Sequence, residues 1–300
     1  MMTLTIAIVT WNRELQLRKA INSCLECVLP EDTYFVIIDN NSTDNTEQII
    51  KSLFEGKKYD YYYEKLNDNI GCGNGRNLAF KHSKSKYTYF LDDDAYIDEN
   101  NKEFFISAIE ILDRHDKIMT LTTQIYDLLW KKNRVAVDGP LLVDNLYLCQ
   151  RFCGGSHFLR NEFWANQSPY YPNKYGLEEI FPSLRVYDAG YFNVFATNLV
   201  IIHNPLFNKW EKGSMEETNL LKTEIVCKLA MKLVIYPSLF SPVLYLSTFV
   251  RCIKSLKLRS LFEIFFDERI TTIKQQNLEI KKIRLSTVVR LYRLFGLSVF

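Results

Sequence analysis

No stretch of this 300-residue chain is apolar for long enough, without interruption, to read as a membrane span. The longest uncharged run, "LVIYPSLFSPVLYLSTFV" from Leu233 to Val250, approaches the roughly 20 residues a spanning helix needs. Pro237 and Pro242 break it and several hydroxyls dilute it, so no span is expected. A secretory leader is not expected either, because Met1 to Thr10 has no basic stretch and its apolar run is only strand length. The seven cysteines are odd in number and scattered. A chain this long and apolar has no need of a disulfide framework, and a reducing cytoplasm fits best. One pair, Cys24 and Cys27, has C-x-x-C spacing, but it has no second pair and falls in a helical pattern, so buried thiols are expected. Neither G-x-G-x-x-G nor G-K-[ST] occurs, which excludes the usual dinucleotide and P-loop fingerprints. There is no internal repeat and no low-complexity segment.

What remains is an ordinary globular composition, 47% apolar and 24% charged. The formal charge of +2 is unevenly placed. From Arg251 onward there are eleven Lys/Arg against four Asp/Glu, a net +7, which leaves about −5 for the first 250 residues. A basic tail implies an anionic partner, nucleic acid or a membrane surface. Nucleic acid is not expected, because the basic residues alternate with aliphatics and no nucleic-acid module is present.

The first hundred residues alternate strand and helix patterns. "LTIAIVT", "YFVIIDN", "YDYYYEK" and "YTYFLDDD" read as strands. "NRELQLRKAINSCLECV", "STDNTEQIIKSLF" and "GRNLAFKHSKS" read as helices between them. The first helix can turn Leu15, Ala20, Ile21, Cys24 and Val28 to one broad face, and Ser42 or Asp44 can cap the second. Such alternation predicts an α/β fold with a parallel sheet and right-handed crossovers. Ligands of such sheets bind beyond the carboxyl ends of the strands. There the chain places Thr10, Trp11 and Asn12, then Asp39 and "NNSTD", then "NDNIGCGNGRN", then Asp92, Asp93 and Asp94. Four polar strand ends in succession point to a nucleotide-type ligand.

The glycines at 71, 73 and 75 would let backbone approach that ligand, with Arg76 as a fork of donors for phosphate; a loop with a helix cap is the alternative. Asp39 can accept hydrogen bonds from a ribose or base edge, or cap the next helix. Three adjacent carboxylates repel unless something positive lies among them, and hard oxygen ligands suit Mg²⁺ or Mn²⁺. On an extended chain Asp92 and Asp94 share one side and Asp93 faces away, which makes Asp93 the structural member.

In this order, "IAIVTWNR", "IIDNNSTDNT", "NIGCGNGRN" and "YFLDDDAYID" resemble the family 2 glycosyltransferases of the GT-A fold. "CGGSHFLRNEFW", "YGLEEIFPSLRVYDAGY" and "VIIHN" extend the likeness to about residue 205. The resemblance implies a Rossmann-like, mainly parallel mixed sheet flanked by helices. A catalytic domain at 1–212 would comprise a nucleotide-sugar half (1–100) and an acceptor half (101–212), followed by a basic helical region at 213–300. It places Thr10, Asn12 and Asp39 at the base and ribose, and Asn69, Gly71, Arg76 and Asn77 beside the nucleotide. Asp92 and Asp94 match the family's D-x-D motif, Asp94 on the metal and Asp92 toward ribose and sugar. His203 would complete the metal or diphosphate site. Glu178 and Glu179 match an acidic pair whose second member is the general base. This chain has Glu-Glu where the family usually has Glu-Asp, and Phe181 and Pro182 where an acidic residue is more frequent.

The implied reaction is an inverting transfer from a UDP- or dTDP-sugar to the hydroxyl of a saccharide or lipid-linked saccharide. Its setting would be bacterial surface polysaccharide or glycolipid synthesis, at the inner face of the cell membrane. Two rivals carry less of the sequence. A sugar-phosphate nucleotidylyltransferase would open with a glycine-rich loop where "TWNRELQL" stands, and an inactive sugar-binding scaffold would show a broken metal or base position. His82 and His115 are expected at the surface, and His157 is expected to be structural rather than to border the acceptor. In the tail, "LEIKKIRLSTVVRLYRLFG" places Leu285, Val288, Val289, Tyr292 and Phe295 on one helical stripe among cations. It either lies on a membrane or packs on its own catalytic domain.

Overall fold

The computed structural model describes residues 2–165, 167–172, 177–205, 215–255, 263–275 and 280–300. The boundary expected at 212 lies outside them, as do Tyr175 and Gly176 of the "YGLEE" segment.

The first strand, β1 (Met2–Thr10), is a β-branched run buried on both faces, as a central parallel strand must be. The chain continues through α1 (Glu14–Leu25), β2 (Tyr34–Asp39), α2 (Thr46–Phe54), β3 (Tyr61–Lys65), α3 (Cys72–His82) and β4 (Ser85–Asp92). Then come β5 (Ala95–Ile97), α4 (Phe104–Arg114), β6 (Ile118–Asp127), β7 (Lys132–Asn133), β8 (Leu141–Val143), β9 (Leu146–Leu148) and β10 (Ser156–Arg160). After α5 (Ile180–Asp188) and β11 (Phe192–His203), the remainder is helical: α6 (Met215–Ile235), α7 (Ser241–Ser255), α8 (Glu268–Gln275) and α9 (Leu285–Phe295).

Among the described residues these strands form a single mixed sheet in the order β3-β2-β1-β4-β10-β6-β11-β9-β8, with β5 on β11 and β7 on β6. The first four strands are mutually parallel, β10 is antiparallel to both its neighbours, and β11 runs parallel to β6. The chain steps outward from β1 to β3, then returns across β1 to form β4. A crevice therefore opens at the carboxyl ends of β1 and β4, where Thr10 and Asp92 stand.

Details of the first helices differ from the sequence expectation. On α1 the buried residues are Leu17, Ala20, Ile21 and Cys24, at the i, i+3, i+4, i+7 spacing of one face. Leu15 is 67% exposed because it lies two residues off that face, and Val28 is 51% exposed beyond the end of α1. Asp44 rather than Ser42 serves the start of α2, accepting from the Thr46 amide at 3.2 Å and the Thr46 hydroxyl at 2.6 Å.

The tail packs on α5 and the start of β11. The Phe295 and Tyr187 rings meet edge to face at 5.7 Å, and Asp188 accepts from the Arg284 amide (2.8 Å) and the Thr287 hydroxyl (2.6 Å). The guanidinium of Arg290 covers the Tyr187 and Phe192 rings. The predicted stripe of α9 is split: Val288 and Phe295 face inward together with Leu291, which the stripe did not include, whereas Leu285, Val289 and Tyr292 are exposed. The Leu233–Val250 run is divided at Pro237 between α6 and α7. Among the described residues no helix is long and apolar enough to cross a membrane.

Docking of the tail predicts that Phe295→Ala costs about 3 kcal/mol of stability, within the range for truncating a buried aromatic. Leu297→Ala, at a residue 75% exposed, should cost almost nothing. Urea unfolding of both variants tests this, and equal midpoints would show that α9 is not part of the folded unit.

Candidate active site

The three aspartates separate at the end of β4. Only Asp92 is on the strand; Asp93 and Asp94 occupy the turn that follows, so the alternation expected of an extended chain does not apply to them. Asp93 is 4% exposed. It accepts from the Thr10 hydroxyl at 2.8 Å and the Trp11 amide at 3.4 Å, and the Arg13 guanidinium lies 2.6 Å from its Oδ1. Arg13 also stands 3.0 Å from Asp94 Oδ2. Asp92 turns the other way, to Arg76 Nη2 at 2.6 Å. The repulsion that suggested a metal is thus offset by two arginines, and Asp93 shares its cation with Asp94. Burial lifts the Asp93 carboxyl to about 6 against the pull of Arg13. Asp94 is also raised by burial, but its bond to His203 and the nearby Arg13 outweigh this and leave it below the usual carboxylate range.

Sheet register brings His203 to this turn. It ends β11 opposite Ala95 of β5 on one side and Asp127 of β6 on the other, and the Asn204 amide donates to the Asp94 carbonyl at 2.8 Å. Its Nε2 is 3.4 Å from Asp94 Oδ1 and its Nδ1 is 2.8 Å from Asp127 Oδ2. Burial disfavours the imidazolium, yet the Asp94 carboxylate raises the His203 pKa overall.

Among the described residues no three His, Cys, Asp or Glu side chains form a metal cage. The donor set nevertheless fits a divalent cation bound partly by substrate. Two ligands about 2.1 Å from one ion and at right angles stand roughly 3 Å apart, near the Asp94–His203 spacing. Asp127 fixes the imidazole from its far nitrogen, as carboxylates do behind metal-bound histidines.

Arg76 does not present its fork to the crevice. It is 4% exposed, with Nη2 on Asp92 and Nη1 on Glu178, and its guanidinium stands over the Tyr170 ring. The fork that sequence reading offered to phosphate is taken up by two carboxylates. Close backbone approach makes this possible: a Cβ on Gly154 would lie 2.9 Å from Arg76 Nη1, and one on Gly155 3.0 Å from Asp92 Oδ2. Asn77 is likewise occupied, its amide donating to the Tyr170 carbonyl at 2.8 Å and accepting the Tyr170 amide at 2.9 Å. It clamps α3 to that segment.

The other strand-end residues lie around the crevice. Asp39 is 1% exposed and accepts from the Ser42 amide at 2.7 Å and the Tyr63 hydroxyl at 2.8 Å, so it braces the loop after β2. Asn12 has a left-handed backbone (φ 51°) and accepts from the Thr43 amide at 2.7 Å. Asn69 accepts the Gly71 amide at 2.9 Å, and Gly71 takes φ 84° just before α3, a conformation glycine adopts without strain.

Glu178 and Glu179 part company. Glu178 is 4% exposed in its ion pair with Arg76; burial raises its pKa, partly offset by that arginine. Glu179, immediately before α5, lines a cavity and has Arg151 Nη1 at 3.4 Å from Oε1. His157 is structural: it is fully buried against the Phe90 and Phe152 rings, and its Nε2 is 2.5 Å from the Tyr170 hydroxyl. His82 stacks on Tyr62 and is only partly buried. Sequence reading missed Arg13, Asp127 and Arg151. A strand-end carboxylate at Asp127, as at Asp39 and Asp92, was the signal available for one of them.

Removing the buried guanidinium with Arg76→Met leaves Glu178 without its partner, for an expected loss of about 3–5 kcal/mol. Thermal melting should show a marked fall in Tm. An unchanged Tm would mean that Glu178 does not depend on Arg76.

Comparison with known proteins bears on the first part of the chain and on the fold. Residues 5–139 match the model for glycosyl transferase family 2. Poly(ribitol-phosphate) beta-N-acetylglucosaminyltransferase TarS of Staphylococcus aureus is 31% identical over 117 residues, 38% of this chain and 20% of the relative. Glycosyltransferase SunS of Bacillus subtilis is 28% identical over 111 residues, 37% of this chain and 24% of the relative. The match thus spans only a fifth to a quarter of those curated relatives. The structure of S. aureus TarS 1–349 in complex with UDP-GlcNAc superposes with a TM-score of 0.63 at 16% identity, covering 91% of this chain and 84% of that one. Mannosyltransferase PcManGT from Pyrobaculum calidifontis, in complex with GDP-Man and Mn²⁺, gives 0.61 at 13% identity, covering 96% and 86%. The fold is GT-A, and residues 5–139, a little under half of the chain, carry the match to glycosyl transferase family 2.

Proposed function

We propose that this chain transfers a sugar, with inversion, from a UDP- or dTDP-sugar to the hydroxyl of a saccharide or lipid-linked saccharide, in bacterial surface polysaccharide or glycolipid synthesis. One observation carries the reading: of two adjacent glutamates at the crevice, Glu178 is locked to Arg76 and Glu179 faces a cavity. The match of residues 5–139 to glycosyl transferase family 2 and the likeness to TarS, a poly(ribitol-phosphate) beta-N-acetylglucosaminyltransferase, support it.

Asp94 and His203 would hold a Mg²⁺ or Mn²⁺ ion, with Asp127 fixing the imidazole. When bound, such an ion stabilises the negative charge that develops on a departing diphosphate. Arg13 balances the charge of Asp93 and Asp94 in the turn, and so keeps Asp94 ionised and oriented. Asp92, at the edge of the crevice, faces ribose and sugar. Thr10, Asn12, Asp39, Asn69 and Gly71 shape the nucleotide's surroundings through the loops they brace. Glu179 takes the proton of the attacking hydroxyl, with its carboxylate free of any hydrogen-bonded ion pair among the described residues. A single base and no intervening nucleophile give single displacement, hence inversion.

Glu179→Gln should lower transfer by 10²- to 10⁴-fold, the usual contribution of a positioned base, with nucleotide binding retained. A radiolabelled-donor assay reads this, and near-normal turnover would remove Glu179 as base. Slow hydrolysis of nucleotide sugars with Mn²⁺ separates an enzyme from a binding scaffold, which would show none.

A peripheral membrane contact has its own support. Tyr292, Leu297, Leu239, Leu246 and Phe249 are all exposed, and the packed rings of Tyr292, Phe300 and Phe240 join the end of the chain to the 238–255 segment. Arg251 and Arg293 lie exposed on the same helices. Apolar residues flanked by cations suit an anionic lipid surface. The double variant Leu246→Glu/Leu297→Glu should abolish flotation with phosphatidylglycerol vesicles while wild type floats. Equal flotation would place the contact elsewhere or nowhere.

A further inference from the structure

Glu179 lines a cavity of about 260 Å³ whose charge the donor site does not explain. Arg134, Arg151, Lys228 and Lys232 contribute cations, against the carboxylates of Asp138 and Glu179. Arg134 is already turned to Asp127. Nη1 of Arg151 is buried, makes no hydrogen bond, and has only the 3.4 Å approach to Glu179. Lys232 is 6% exposed and donates to the Val299 carbonyl and to the backbone oxygen of Phe300, the last residue of the sequence, at 2.8 Å each. Lys228, one helical turn earlier on α6, has neither a hydrogen bond nor an ion pair among the described residues. Burial, with Arg151 and Arg251 nearby, lowers the Lys228 pKa to about 8.

Gathering cations in a half-enclosed cavity is costly unless an anion shares it. The volume is slightly below the roughly 300 Å³ at which sites for drug-sized ligands begin, so the occupant is small. Two ammonium groups and a guanidinium edge match the several oxygens of a phosphate better than the two of a carboxylate. The donor's diphosphate belongs with Asp94 and His203, whereas this cavity adjoins the residue that receives the acceptor's proton.

We propose that the cavity is an acceptor subsite that holds a phosphate group through Arg151 and Lys228, with Lys232 behind them, so that the acceptor is a phosphorylated polyol, saccharide or lipid. This rests on Glu179 as the base. The phosphate anchors the acceptor, and the hydroxyl to be glycosylated lies a few bonds away at Glu179.

The test uses the full chain, with calorimetric titration of inorganic phosphate and of glycerol 3-phosphate at fixed ionic strength, in saturating UDP and Mn²⁺. Both should bind in the presence of UDP, and Lys228→Gln and Arg151→Gln should each weaken binding about tenfold, which is ~1.4 kcal/mol. Circular dichroism checks that each variant is folded, and either folded variant suffices. Phosphate that UDP displaces, or that binds folded variants as tightly as wild type, overturns the proposal. A chain that binds UDP but no phosphate sinks this inference alone. A chain that binds phosphate through Lys228 but neither binds nor hydrolyses a nucleotide sugar sinks the transferase reading. Phosphatidic acid vesicles, compared with phosphatidylcholine, identify the source of the phosphate. Lys228-dependent capture assigns it to lipid, and glycerol 3-phosphate binding without such capture assigns it to a soluble acceptor.

Discussion

The buried guanidinium of Arg76 is the constraint on which the site depends. It joins Asp92, at the end of β4, to Glu178, 102 residues on from Arg76 and just before α5. A buried charge of this kind is tolerable only when its partners are held in place. Here α3 holds Arg76, β4 holds Asp92, and Gly154 and Gly155 leave room for both side chains. Asn77, one residue along, ties the same helix to the Tyr170 backbone. The two halves of the crevice are therefore fixed to each other through one cation rather than through a flexible loop.

Charge balance then assigns the remaining carboxylates. Arg76 takes Asp92 and Glu178, and Arg13 takes Asp93 and Asp94. Each arginine is shared between two acids, so neither set is fully neutralised. The imidazole of His203 lies between Asp94 and Asp127, so one nitrogen is committed and the other faces the turn. A histidine held in this way would be better oriented as a ligand than one free to rotate.

Much of this was legible in the sequence where the signal was local. The first four strands follow from β-branched and aromatic runs, and the crevice follows from the polar residues that end them. Asp93 as a structural residue was foreseen, but on a premise that fails, since the strand stops at Asp92. The pairings of Arg76 with Glu178 and of Asp127 with His203 span 102 and 76 residues. No periodicity encodes such contacts, because they depend on strand order and register. The stripe on α9 misled for a related reason. A helix wedged between a domain and the surface carries apolar residues on two faces, and a single stripe read from the sequence merges them.

The two glutamates show how environment separates identical side chains. A general base must be ionised before it acts, must reach a proton, and must be able to hold it afterwards. Glu178 fails the last two conditions, since its carboxylate is buried and bonded to a guanidinium that is shared with Asp92. Glu179 carries no such bond: Arg151 stands 3.4 Å away, and that approach is not a hydrogen bond that would have to break if a proton arrived. The substitution of Glu for the family's usual Asp falls on this second position. One extra methylene moves the carboxylate outward by about a bond length, toward the cavity and its cations. The longer side chain and the basic cavity are thus consistent with each other, the one reaching to where the other would hold an acceptor.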